Sequence, residues 1–164
     1  ELQQLSPSNP EAYVYTAYGQ ESAVINREGE ELGLRKAPWY AILMSMSLSD
    51  TPAAISNGQI GMELGSLRGD LGKAYKEAFA AKHKEGPKTS YTGYAYDAVL
   101  LTAAAIEKSK STKPADVQAA LRDLGTAGFP GVTGTIKFDG YRQRVDPPYD
   151  KLKFENGTLA PRCT

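Results

Sequence analysis

Trp39-Tyr40-Ala41-Ile42-Leu43-Met44-Ser45-Met46 is the stretch on which the fold turns. A continuous apolar run of this kind suits a strand buried on both faces, as in a parallel sheet covered by helices. Its neighbours alternate to match. Upstream, residues 12–18 read Ala-Tyr-Val-Tyr-Thr-Ala-Tyr, rich in β-formers, after the turn-like Ser6-Pro7-Ser8-Asn9-Pro10. Gly19 interrupts that strand. A helix is predicted over 20–32, with Val24, Ile25 and Leu32 on one face and Gly33 as its stop. Downstream, Ser49-Asp50-Thr51-Pro52 places a capping residue and a proline to open a short helix. Residues 59–64 predict a third strand, with Ile60, Met62 and Leu64 alternating.

Three helices follow by their spacing. Leu71, Tyr75, Ala78 and Phe79 mark one face of the first, which Gly86-Pro87 ends. Tyr96, Val99, Leu100, Ala103 and Ile106 mark the second. The third opens near Pro114, with Val117, Ala120, Leu121 and Leu124 on one face. Residues 125–130 are predicted as a loop, 132–138 as a strand and 151–155 as a last strand, with Asn156-Gly157 in a hairpin-type turn. This alternation predicts an α/β fold, a parallel sheet flanked by helices. Such sheets bind ligands beyond the C-terminal ends of their strands. The loops 18–21 and 45–50 meet that description.

Composition removes several classes. The chain has 164 residues, 41% of them hydrophobic, enough for one ordinary domain with a real core. Its 19 basic and 19 acidic residues cancel, so no general field attracts nucleic acid. The basic run Lys82-His83-Lys84 closes a helix, where it suits the C-terminal dipole. His83 is the only histidine, which argues against a histidine-based triad or zinc site. Cys163 is the only cysteine and lies beside the C-terminus, the position of a tail residue. No glycine-rich nucleotide fingerprint or phosphate loop is present. No catalytic residue, metal ligand or cofactor is therefore expected. Ten tyrosines remain as ligand-contacting material, a flat apolar ring with one hydroxyl each. Tyr18 stands out because it ends a strand just before a glycine and a helix N-terminus.

The order of these segments resembles a known family. Tyr15-Thr16-Ala17-Tyr18-Gly19-Gln20-Glu21, the loop Ser47-Leu48-Ser49-Asp50, the helix Tyr94-Ala95-Tyr96-Asp97-Ala98-Val99 and the closing Gly131-Val132-Thr133-Gly134-Thr135-Ile136-Lys137-Phe138-Asp139 are similar to the rear half of branched-chain amino-acid-binding proteins of ABC importers. The resemblance implies a periplasmic binding fold of type I, with two α/β lobes that close on a solute. It implies a periplasmic or cell-surface location, with a membrane permease as partner. It also implies an incomplete unit, whose further partner is the N-terminal portion of the same protein. By this resemblance residues 1–85 form the rear of the second lobe, 86–142 return to the first lobe, and 143–164 supply a hinge and the final strand of the second. Carried over by position, Tyr18, Gln20 and Glu21 contact solute from one loop. Ser45, Met46, Ser47, Ser49 and Asp50 do so from the next, and Tyr94 and Tyr96 border the cleft. Amino-acid binders of the family place an acid near the second loop for the ammonium group. Here the nearest is Asp50, so an amino acid, a carboxylate and an aromatic compound all stay open as solutes. A receptor's sensing domain on the same fold is the alternative function. An α/β enzyme using Asp50 or Glu21 ranks below it.

Overall fold

The computed structural model describes residues 1–65 and 67–162; Ser66, Cys163 and Thr164, with the tail reading of Cys163, lie outside it. The described chain begins with a short helix α1 (Leu2–Leu5) and forms two compact units, Glu1–Glu63 with Tyr149–Thr164, and Leu64–Pro148.

The first unit is built on a sheet of order β1-β2-β3-β6-β7: β1 (Tyr13–Tyr15), β2 (Trp39–Ile42), β3 (Ile60–Leu64), β6 (Tyr149–Glu155) and β7 (Thr158–Pro161). β1, β2 and β3 pair in parallel, Tyr13 opposite Trp39 and Tyr40 opposite Ile60. β6 and β7 form an antiparallel hairpin across Asn156-Gly157, both at positive φ as a two-residue turn demands. The expected last strand thus starts two residues earlier and has a partner after it. α2 (Gly19–Glu31), α3 (Met44–Ser47) and α4 (Ala53–Ser56) connect the parallel strands.

Four expectations are corrected here. The apolar run does not stay a strand to Met46: Leu43 takes a left-handed φ of 58°, ending β2 and turning the chain into α3. The face of α2 that is buried is not Val24, Ile25 and Leu32 but Ser22, Asn26 and Gly29. Gly29 is required by contact, since a Cβ there would stand 2.6 Å from Trp39 Cη2. In β3 the buried residue is Glu63, 6% exposed, rather than the alternating Ile60, Met62 and Leu64. α4 has Pro52 as its N-cap with no side-chain cap bond, so Ser49 and Asp50 are left for other roles. The apolar core is small: Ala41, Met44, Leu48 and Phe154, with Tyr15, Leu152 and Leu159 against it. An aromatic stack of Tyr13 on Trp39, centroids 4.7 Å apart, adds to it.

The second unit holds α5 (Gly69–His83), α6 (Tyr91–Ser109), α7 (Pro114–Ala127) and a hairpin of β4 (Phe129–Gly131) with β5 (Gly134–Ile136). The loop expected at 125–130 is instead the end of α7 and most of β4. The strand expected over 132–138 is shorter because Val132 and Thr133 make the hairpin turn. That turn is clamped to α6. Asp97, 2% exposed, accepts from the Val132 N–H (2.7 Å), the Thr133 N–H (2.9 Å) and the Thr133 hydroxyl. Arg144 Nη1 and Nη2 donate to the Thr133 hydroxyl and carbonyl at 2.9 and 3.0 Å. The side of α6 turned inward is Gly93, Asp97, Leu101 and Ala105. Its other apolar face is open: Val99 is 69% exposed, and Tyr96, Leu100 and Ala103 are exposed with it.

Candidate ligand site

In the first unit the two loops singled out by sequence meet at the C-terminal edge of the parallel strands. β1 delivers residues 16–18, and Tyr18, in extended conformation and 41% exposed, is the N-cap of α2. Gly19 follows at φ 52°, in a position where a Cβ would lie 3.1 Å from Asp50 Oδ2. That approach joins the turn after β1 to the end of the loop after β2. Gln20 and Glu21 are exposed in the first turn of α2, where an acid favours the helix dipole.

The second loop is made by the left-handed Leu43 and the single turn of α3. Ser45 sits over β3: its N–H donates to Glu63 Oε2 at 2.7 Å. Its hydroxyl is enclosed and has no hydrogen-bond partner, and the same holds for the Thr51 hydroxyl. Met46 is half-buried. Ser47 is fully buried and directed inward, its hydroxyl donating to the Ile42 carbonyl at 2.6 Å and its carbonyl accepting from Ser22. The Ser49 hydroxyl donates to the Met46 carbonyl at 3.1 Å, and Asp50 is exposed. Around this edge the side chains of residues 18–22, residues 45–51 and Glu63 include three acids, Glu21, Asp50 and Glu63, and no lysine or arginine. Such an edge can receive a small solute through a tyrosine face, hydroxyls and carboxylates. Glu63 escaped the sequence reading because a glutamate inside an apolar alternation looks like an outward residue.

Tyr94 and Tyr96 belong to the second unit. The Tyr94 hydroxyl donates to the Gly65 carbonyl at 3.1 Å, and the Arg144 guanidinium lies 5.4 Å from its ring centroid. Tyr96 is exposed and packs against Tyr75, centroids 4.7 Å apart. Among the described residues no group of three or more His, Cys, Asp or Glu is placed to hold a metal, and no helix is long and apolar enough to cross a membrane.

Residues 1–158 match the sequence profile of the periplasmic binding protein family. The chain belongs to that family. Among solved structures this family member is similar to a leucine-binding protein of Thermotoga maritima, at 21% identity and a TM-score of 0.82 over 99% of this chain and 47% of that one. It is similar to an ABC transporter substrate-binding protein of Desulfitobacterium hafniense in complex with leucine, at 26% identity and a TM-score of 0.75 over 98% of this chain and 46% of that one. It is also similar to an ABC transporter solute-binding protein of R. palustris in complex with benzoate, at 15% identity and a TM-score of 0.73, over 98% of this chain and 44% of that one. The chain therefore spans about half the length of the solved structures it matches. No curated protein matches it. The expected α/β class agrees with this family, as does the expectation of a binding protein rather than an enzyme.

Proposed function

We infer that this member of the periplasmic binding protein family takes part in extracytoplasmic solute capture for an ABC importer. The observation that carries the reading is the junction of Gly19 with Asp50, which unites the two strand-end loops into one edge. The solute is small and amino-acid-like or an organic acid, held between two lobes. The exposed carboxylates of Glu21 and Asp50 at this edge suit a solute with a cationic group. Tyr18 supplies the apolar contact, and Gln20, Glu21, Ser45, Met46, Ser49 and Asp50 line the edge, with Ser47 behind it. Tyr94 and Tyr96 border the cleft from the other lobe.

In this reading residues 1–85 and 143–164 are second-lobe chain and 86–142 are first-lobe chain, although by its contacts α5 falls in the compact unit Leu64–Pro148. The open face of α6 supports a further part: the portion of the family fold that the chain does not span covers Val99 and Leu100. The permease is the second partner, recognising the closed form. A thermal-shift screen of the whole gene product with aliphatic amino acids, amides and aromatic acids tests the reading. A rise in melting temperature with an aliphatic amino acid supports it. No stabilisation by any of these compounds sinks it.

A further inference from the structure

The inner face of α2 is polar, and its contacts form one path. Arg35 Nη2 donates to Asn26 Oδ1 and to the Asn26 carbonyl, both at 2.8 Å. Asn26 Nδ2 donates to the Tyr15 hydroxyl at 2.9 Å and to the Ser22 carbonyl at 2.8 Å. The Tyr15 hydroxyl donates to Gln59 Oε1 at 2.9 Å, and Gln59 Nε2 donates back to Asn26 Oδ1. Ser22 Oγ then donates to the Ser47 carbonyl. Ser22, Asn26 and Ser47 have no exposed surface.

An apolar stripe would dock this helix without fixing its register closely, because apolar contact has no direction. Hydrogen bonds fix distance and angle, and buried ones are costly to leave unmade. The turn that contains Ser47 is held from three elements. Ser47 Oγ ties it to the Ile42 carbonyl of β2, the Ser45 N–H ties it to Glu63 of β3, and Ser22 ties it to α2. Of the three, only α2 also carries the solute-facing residues Gln20 and Glu21, directly after Tyr18.

We propose that Ser22 is a positioning residue for the solute site. Its bond to the Ser47 carbonyl sets the turn 43–48 against the first turn of α2, so that Tyr18 and residues 45–50 stand in binding geometry before solute arrives. The inference rests on the solute-binding reading and deepens it, because a preformed site loses less order on binding.

The test is Ser22→Ala in the whole gene product, read by hydrogen exchange and by calorimetry with leucine as the probe. Alanine is smaller than serine and a better helix former, so the helix is retained. The Met46, Ser47 and Leu48 amides donate to the Leu43 and Met44 carbonyls and report on the turn. Their protection is expected to fall about tenfold while α7 keeps its own. Leucine affinity is expected to weaken about fivefold or more. Val24→Ala, on the exposed side of the same helix, changes neither. Unchanged protection in Ser22→Ala overturns the proposal, and so does a loosened turn with unchanged leucine affinity. If leucine fails to bind the unsubstituted protein, leucine is the wrong solute, and the exchange result decides on Ser22, unchanged protection overturning the proposal.

Discussion

Asp97 shows how one side chain can make a motif. In the sequence it is a charge inside an apolar helix pattern. In the fold its carboxylate collects two N–H groups and a hydroxyl from the β4–β5 turn, and Gly131 is glycine because a Cβ would stand 2.5 Å from Asp97 Oδ2. Asp97→Ala leaves those donors buried and unmet, and is expected to cost about 3 kcal/mol or more, seen as a lower denaturant midpoint. Gly29→Ala drives a methyl into Trp39 and is expected to cost about 1–3 kcal/mol. Because Trp39 is the only tryptophan, its fluorescence maximum reports the displacement directly. Tyr15 gives a pH signature. Burial pushes its hydroxyl above the usual 10.0, against the pull of hydrogen bonds from Asn26 and Ser22. The folded protein therefore keeps a proton that the unfolded chain releases first. This contribution is complete below pH 10.0 and is lost as pH rises through the folded value. Urea midpoints should therefore fall as pH rises above 10.0, less steeply in Tyr15→Phe.

At the scale of elements, periodicity located most of the fold and misjudged which faces it buries. β1, α2, β3, α5, α6 and α7 lie within a few residues of their predicted places. β2 was overrun because apolar content continues past Ile42 while the backbone turns left-handed at Leu43, and composition carries no sign of that φ. β4 was missed because Phe129-Pro130-Gly131 reads as a turn until Asp97 pins the following residues. The inner face of α2 was missed because a rule that equates apolar with buried has no place for Ser22 and Asn26. Of the candidate site, the strand ends could be read: Tyr18 and the loop after β2 both lie at the C-terminal ends of their strands, while Glu63 needed the fold. Leu43 offers a test at this scale. Leu43→Gly relieves the left-handed strain and is expected to cost much less than the loss of a half-buried leucine, about 1 kcal/mol or below by chemical denaturation.

For the whole molecule, the open face of α6 is the informative feature. In this chain Val99→Lys is expected to change unfolding free energy by less than about 0.5 kcal/mol, whereas Leu101→Lys costs several-fold more. Leu101 is 7% exposed, whereas Val99 is 69% exposed. If the rest of the family fold covers α6, Val99→Lys destabilises the whole gene product by about 2 kcal/mol or more, and denaturant melts of the two forms compare the cost directly. Hydrogen exchange of the whole gene product with and without its stabilising solute locates the solute site most directly. New protection is expected in residues 18–21 and 45–51 together. Protection confined to the opposite edge, around Pro38, Trp39, Gly58 and Gln59, would contradict the proposed site.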